Sequence, residues 1–226
     1  MIPELPYKIA QVYFEDSQRS CLSPLATPVL NSRLSPYFEN AVIVRLVRED
    51  MFRGVRYSGV LSWRVESKNN FSLARLIKEL ELGADVYVPR ACAVAHDVRN
   101  AGDAAHRYFS ELFEPILENL GLESGAMQKP RLGVYQNAVI ARREIYYDYV
   151  QHWLAPSMDF LDRQVNPEYL AKLRSDPGYN SYPPGRQELL RRVIGTPHYQ
   201  YHPFLLERLW SVYLWRHQED FECRIV

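Results

Sequence analysis

A carboxylate and a guanidinium stand side by side near the end of the chain, at Glu207 and Arg208, within the otherwise apolar stretch PFLLERLWSVYLWRH. Burying a carboxylate in such a stretch costs free energy unless it is paired or used chemically. A carboxylate can take a proton from a hydroxyl or orient it, which makes Glu207 a candidate general base. A structural ion pair is the alternative, and the sequence leaves both open.

Asp85 is a second acidic candidate, because it stands at the boundary of the predicted strand ADVYV. A turn or strand-edge aspartate is the alternative. Glu66 and Lys68 have the ExK spacing of metal-dependent nucleases, in which the carboxylate holds the ion and the lysine stabilises the charged transition state. Patterns of three residues often arise by chance, so a nuclease is the weaker hypothesis.

Histidine and aspartate occur close together twice, as His96-Asp97 and as Asp103 with His106. Both types of side chain ligate metals, and the second pair has helical i, i+3 spacing. Capping and surface roles are the alternative, since Asp103 stands where a helix N-cap is expected. No GxGxxG, P-loop, GxSxG or DxD motif is present, which removes the strongest arguments for a Rossmann dehydrogenase, a P-loop NTPase or an α/β-hydrolase.

The composition is that of an ordinary globular protein, and its 226 residues suit a single domain over 1–226. Lysine plus arginine equals aspartate plus glutamate, at 27 each, so no overall charge attracts nucleic acid or an anionic membrane. The three cysteines lack CxxC spacing, which argues against a disulfide framework or a zinc knuckle. There is no secretory signal pattern and no run of about eighteen apolar residues, so we expect a cytoplasmic protein without a membrane span.

The elements that must position these residues follow from periodicity and turn signals. We predict strands at 7–14, 57–64, 84–88 and 132–141, helices at 71–82, 103–120, 143–162 and 203–217, and loops at 16–36 and 176–185. The apolar segment 40–48 fits a helix or a strand. The strand, helix and strand across 57–88 predict parallel strands in one sheet. The fold class is therefore α/β, with a mixed, mainly parallel sheet flanked by helices and a helical C-terminal part.

Five segments, read in order, resemble bacterial glycosyltransferases found with capsule and other surface-polysaccharide genes, including a family catalogued only as a domain of unknown function. They are IAQVYF, GVLSWR, ADVYVPR, YQNAVIARREIYYDYVQHWLAPSMDFLD and FLLERLWSVYL. The resemblance implies a GT-A-like fold, a nucleotide-sugar donor and a growing glycan or lipid-linked acceptor. Mn²⁺ or Mg²⁺ would be the metal cofactor in such an enzyme, although the DxD motif is missing.

With this resemblance, we expect the donor to lie over strand ends near Gln11, Trp63 and Asp85, in one cleft. The expected donor-binding residues are Gln11, Trp63, Arg64, Asn137 and Arg208; the acceptor-binding residues are Tyr179 and Tyr182; the catalytic residues are Glu207 and Asp85. The arginines would neutralise the leaving diphosphate. The alternative is a catalytically inactive carbohydrate- or partner-binding protein of the same fold, and a metal-dependent nuclease is less favoured.

Overall fold

A six-stranded mixed sheet lies at the centre of the molecule, in a computed structural model that describes residues 5–32, 35–95, 97–179 and 185–226. The strands of this sheet are β1 (Leu5–Tyr13), β2 (Thr27–Leu30), β3 (Val55–Ser62), β4 (Val86–Val88), β7 (Ile140–Arg142) and β8 (Cys223–Ile225). Two further strands, β5 (Ala93–Val94) and β6 (Gly133–Val134), pair with each other in a small antiparallel ribbon.

The helices of the described chain pack on both faces of the sheet and make up most of its C-terminal part. They are α1 (Glu39–Arg48), α2 (Val65–Asn69), α3 (Leu73–Glu79), α4 (Val98–Ala105), α5 (Phe109–Asn119), α6 (Arg143–Tyr149), α7 (Ala155–Asp162), α8 (Pro167–Arg174), α9 (Arg186–Ile194), α10 (His202–Leu206) and α11 (Leu209–Arg216). None of the helices within the described ranges has both the length and the apolar character needed to cross a membrane.

The strand order is β2-β1-β3-β7-β4-β8, and of the described strands in this sheet only β7 runs against its neighbours. β1 pairs in parallel with β2 and β3, and β4 pairs in parallel with β8. The carboxyl ends of all strands except β7 therefore lie at one edge of the sheet. This confirms the predicted mixed, mainly parallel α/β class. The two strands of the predicted unit do run in the same direction, but β7 lies between them.

Alternate residues along the strands belong to two separate cores, as the two-residue period of a strand requires. Ala10 and Val60 face the core formed with α1, α5, α6 and α11, whereas Ile9, Tyr57 and Leu61 face the smaller core formed with α3. Both faces of the central strands are buried, which explains their nearly continuous apolar sequences.

Many of the sixteen tyrosines are core residues rather than surface ones. In the larger core, Tyr149 stacks on Trp210 with ring centroids 3.6 Å apart, and Tyr146 and Tyr213 pack against the same indole. The aromatic excess therefore reflects packing to a large extent, although other aromatic side chains face a cavity.

Two predicted helices are broken in the structure. The helix predicted at 103–120 is divided into α4 and α5, because Phe109 packs onto Gly102, where a Cβ atom would overlap the ring. Asp103 lies inside α4 and not at its N-cap. Its carboxylate instead accepts hydrogen bonds from the backbone N–H of Ser110 at 2.9 Å and from the hydroxyl of that residue at 2.6 Å. It thus caps the following helix.

The helix predicted at 203–217 is likewise divided, since Glu207 and Arg208 form a turn between α10 and α11. The helix predicted at 143–162 is continuous, but the segment Val150–Leu154 is a π-helix. This wider turn stands directly before Pro156, where the missing N–H and the ring disturb the hydrogen-bond ladder. The predicted loop 16–36 contains β2, which adds a parallel edge strand to the sheet.

Candidate functional site

A cavity of about 450 Å³ opens at the edge of the sheet where the parallel strands end, here named the carboxyl-edge cavity. Its walls include Phe14 after β1, Trp63 and Arg64 after β3, Glu39 on α1 and Phe204 on α10. Open α/β sheets bind their ligands at this edge, beyond the carboxyl ends of the strands. The position therefore marks the cavity as the candidate site.

The walls of the cavity carry more positive than negative charge. Among the described residues, four cationic side chains line it, namely Arg64, Lys68, Arg186 and Arg208, against two carboxylates, Glu39 and Glu207. The formal excess is thus two positive charges, in a chain whose total formal charge is zero. Such a local excess, partly shielded from water, attracts an anionic ligand without a field over the whole molecule.

Glu207 and Arg208 form an ion pair at the floor of this cavity. Arg208 is 3% exposed, its Nη1 donates to Oε1 of Glu207, and its guanidinium carbon lies 3.7 Å from the centre of the Tyr135 ring. The second carboxylate oxygen, Oε2, accepts the backbone N–H of Gln136 at 3.1 Å. Both oxygens of Glu207 are therefore engaged, while Nε of Arg208 has no hydrogen-bond partner among the described residues.

Two residues with unusual backbone geometry lie next to this pair. Gln136 and Asn137 have φ of 64° and 51°, a region that non-glycine residues seldom adopt. The Asn137 amide donates to Oδ1 of Asn40 at 3.0 Å, and Oδ1 of Asn137 is buried without a partner in the described part of the chain. Strained backbone of this kind is characteristic of ligand sites. The structure thus brings Asn137, Glu207 and Arg208 together, as one site requires.

Trp63 and Arg64 also line the cavity, and the strand register accounts for their position. The backbone N–H of Trp63 donates to the Val12 carbonyl at 2.9 Å, which continues the pairing of β3 with β1 up to the edge. The Arg64 guanidinium carbon lies 5.6 Å from the indole centre. Six of the predicted site residues therefore line the same cavity, namely Trp63, Arg64, Asn137, Glu207, Arg208 and Tyr179.

Gln11 does not line the cavity, contrary to the expected position. It is fully buried; its Oε1 accepts the Ser23 N–H at 2.7 Å and its Nε2 donates to the Ser62 carbonyl at 3.3 Å. The side chain thus ties the loop before β2 to the end of β3. It supports the residues of the cavity wall from behind.

Asp85 lies at the opposite edge of the sheet, so the expectation that it shares a cleft with Trp63 is wrong. Ala141 of β7 stands opposite both Val86 and Ser58, which puts Asp85 level with the first half of β3. Trp63 is farther along by about 20 Å at the rise of a strand. The carboxylate of Asp85 instead pairs with Arg142 at 2.6 Å. The error arose because Asp85 precedes its strand rather than following it.

Glu39 is a site residue that sequence reasoning missed. It is the first residue of α1, directly after Phe38, whose φ of 47° is again in the region that non-glycine residues avoid. Burial raises the pKa of its carboxyl and Glu207 raises it further, whereas hydrogen bonding at the helix start, Arg186 and Ser62 oppose the shift. An acidic residue opening the ambiguous segment 40–48 was the only signal in the sequence.

The outer wall of the cavity is aromatic. Phe204 lies 4.6 Å from His106 and 5.6 Å from Tyr179, and Tyr179 lies 5.6 Å from Tyr199, measured between ring centres. The Nδ1 of His106 lies 2.7 Å from the Pro177 carbonyl, an acceptor only, so Nδ1 donates. Burial lowers the pKa of His106, which keeps the ring neutral. Such a surface suits the apolar face of a sugar or a base.

The other candidates of the sequence lie elsewhere. Tyr182 and His96 fall outside the described residues. Glu66 accepts the N–H of Leu73 at 2.9 Å at the start of α3, and of the ExK pair only Lys68 lines the cavity. Within the described ranges, no three carboxylate, histidine or cysteine side chains gather as a metal-binding group. In the cavity, both oxygens of Glu207 are already engaged, so the described residues do not form a ready set of protein ligands for a divalent cation.

Comparison with known proteins gives one informative result. No protein-family model matches the chain, and no curated protein matches it. The chain is similar to the solved apo structure of the bifunctional glycosyltransferase WbbM, with a TM-score of 0.52 and 16% sequence identity over 98% of this chain and 44% of that one. The chain thus spans less than half the length of that protein. The similarity shows a glycosyltransferase-like fold.

Proposed function

We propose that this protein is a glycosyltransferase that moves a sugar from a nucleotide-sugar donor to a growing surface polysaccharide or another glycan. The observation that carries the proposal is the carboxyl-edge cavity, whose positive floor and aromatic wall lie where the fold binds ligands. The diphosphate of a donor carries one negative charge on each phosphate, which matches the formal excess of charge in the cavity. The similarity in fold to a glycosyltransferase supports the same assignment.

The donor's diphosphate would lie against Arg208 and Arg64, with Lys68 and Arg186 completing the cationic wall. Arg208 suits this role because it is buried, stacked on Tyr135 and left with an unpartnered Nε among the described residues. Charge accumulates on the leaving diphosphate during transfer, so fixed cations stabilise the transition state.

The other expected contacts of the donor and the acceptor lie on two sides of the cavity. The buried, unpartnered oxygen of Asn137 would accept a hydrogen bond from a donor hydroxyl or base N–H, and Trp63 would face the donor beside it. On the outer wall, Tyr179 would contact the acceptor sugar. A GT-A-like arrangement, a cytoplasmic location, a link to capsule or other surface polysaccharides and a role for Mn²⁺ or Mg²⁺ belong to the same proposal.

A thermal-shift panel of UDP-, GDP-, CMP- and dTDP-sugars, with and without Mn²⁺, tests the proposal. A ligand at a hundred times its Kd stabilises the native state by about 2.7 kcal/mol. For a chain of this size the melting temperature then rises by about 5–10 °C. Arg208→Met should abolish the shift, whereas Arg191→Met, at an exposed position outside the cavity, should retain it.

The stabilising donor is then incubated with the protein, and release of the nucleoside phosphate is measured. Release that depends on the protein supports a transferase. Binding without release, with any glycan acceptor or with water, would indicate the inactive carbohydrate-binding protein instead. No shift with any member of the panel would contradict nucleotide-sugar binding altogether.

A further inference from the structure

The two carboxylates of the cavity differ in how far their oxygens are already used. Glu207 binds Arg208 through Oε1 and the Gln136 N–H through Oε2. To reach an acceptor hydroxyl, this carboxylate would have to share or give up one of these two contacts. Its geometry fits the task of positioning Arg208 and the strained Gln136-Asn137 turn.

Glu39 has a different environment in the same cavity. It is half-buried at the start of α1, and no ion pair within 4.0 Å joins it to another described side chain. The chain enters the helix through Phe38, whose backbone lies in a strained region that packing must enforce. That strain places the first residue of α1 over the cavity rather than toward solvent.

We infer that Glu39, and not Glu207, is the general base of the transfer reaction; this inference rests on the proposed function. In that step the carboxylate of Glu39 takes the proton of the acceptor hydroxyl while the oxygen of that hydroxyl forms a bond to the anomeric carbon. The bond from that carbon to the diphosphate oxygen breaks, and the nucleoside diphosphate leaves with the electron pair. Direct displacement of this kind inverts the configuration of the anomeric carbon.

The groups that face Glu39 fit this task. Arg186 comes from α9, Ser62 from the end of β3 and Glu207 from the turn before α11, and each affects the carboxyl electrostatically or by hydrogen bonding. Arg64, Lys68, Arg208 and neutral His106 line the rest of the cavity. Net burial makes Glu39 a stronger base than a carboxylate in water, because its charged form is less well solvated.

The test measures nucleoside diphosphate release to water from the donor that gives the largest thermal shift, in wild type, Glu39→Gln and Glu207→Gln, across pH. Wild type should lose activity as pH falls through the pKa of Glu39. Glu39→Gln should release product at least about a hundredfold more slowly, with no such acid limb and with an unchanged donor Kd. Glu207→Gln should bind donor more weakly and melt lower, but keep the acid limb.

Glu39→Ala gives a second test, since formate can occupy the space that the side chain vacates. Formate should restore release in Glu39→Ala and have no effect on Glu39→Gln. Near wild-type rates with an intact acid limb in Glu39→Gln, or loss of the limb in Glu207→Gln alone, would overturn the assignment to Glu39 while the proposed function stands. Wild-type protein that binds donor but releases nothing, either to water or with any glycan acceptor, would overturn both.

Discussion

At the scale of single residues, the cavity shows how one type of side chain serves two purposes. Glu207 is paired with its neighbour Arg208, and the pair holds both the cationic floor and the backbone of Gln136. Glu39 has no ion-pair partner among the described residues and lies where burial disfavours its charge. A residue that is costly to keep charged contributes to chemistry at the expense of stability.

The first prediction concerns the stability that the protein loses by keeping the Glu39 carboxylate charged. Because the folded protein raises the pKa of Glu39 above its ordinary value of 4.5, the stability that this residue provides is present below that pH and is lost as pH rises through the folded pKa. Glu39→Gln removes the charge but retains the shape. We therefore expect it to melt higher than wild type at pH 7, by about 2–4 °C if about 1 kcal/mol is recovered.

The melting temperatures of the same two proteins are also measured at about pH 4, where an unperturbed glutamate is largely protonated. The difference in melting temperature between them should vanish there. Glu188→Gln, at an exposed position on α9, is the control and should melt like wild type at both values. A Glu39→Gln protein that is less stable than wild type at pH 7 would show that the charged carboxylate stabilises the fold.

Several site residues were predictable because their signals are local. Trp63 and Arg64 are the last two residues of the buried strand predicted at 57–64, and Glu207 and Arg208 are conspicuous in an apolar segment. Glu39 and Arg186 were not found, since they reach the cavity only through the long-range packing of α1 and α9. Likewise, no local pattern tells that Asn137 adopts φ of 51° to meet Asn40.

At the scale of elements, the two-residue periodicity of the sequence predicted that a sheet forms, but it did not predict the order of the strands in that sheet. The strands β3 and β4 are close in sequence and parallel, as expected. However, β7, which follows both in the sequence, lies between them, and its Ala141 stands opposite Ser58 on one side and Val86 on the other. The placement of β7 between β3 and β4 depends on which strand edges remain unpaired in the folded sheet, and the local sequence does not show this. It also decides the position of Asp85, which directly precedes β4 and whose level in the sheet follows from the pairing of β4 with β7.

The second prediction is that Asp85 stabilises the sheet without taking part in transfer. Its Oδ1 pairs with Arg142 of β7 at 2.6 Å, and its Oδ2 accepts the Glu222 N–H at 2.8 Å, just before β8. The side chain thus links the central strand to the C-terminal edge strand. Asp85→Asn should lower the free energy of unfolding by about 1–2 kcal/mol, because the ion pair is lost and the hydrogen bond from Glu222 no longer goes to a charged group.

Urea unfolding measures that loss, and nucleoside diphosphate release measures activity on the same preparation. Glu222→Gln is the matched control, since its side chain pairs with Arg224 in an exposed position and should change stability by less than about 0.5 kcal/mol. An Asp85→Asn protein that kept its stability but lost turnover would contradict this prediction and support a catalytic role for Asp85.

At the scale of the whole molecule, a formal charge of zero conceals an uneven distribution. The cavity carries an excess of two positive charges, which the remainder of the chain balances. Charges beyond about 10 Å are screened at an ionic strength of 0.1 M, so a ligand responds to the cavity and not to the sum. A neutral protein of this kind can bind a small anion tightly without attracting extended polyanions.

The third prediction follows from this distribution. Donor binding should weaken as NaCl is raised from about 0.05 to 0.5 M, because salt screens the partly exposed cationic wall. Lys68, an exposed residue of that wall, should supply part of the effect. Lys68→Met should raise the donor Kd by about tenfold, equivalent to about 1.4 kcal/mol, and should make binding less sensitive to salt.

Lys129→Met is the matched control, since it removes the same charge from an exposed position that does not line the cavity. It should leave both the donor Kd and its salt dependence unchanged, as measured by titration calorimetry. Heparin serves as an extended polyanion and should bind neither variant nor wild type, because the molecule has no overall positive charge. Equal weakening by Lys68→Met and Lys129→Met would mean that the field of the whole surface, and not the carboxyl-edge cavity, attracts the donor.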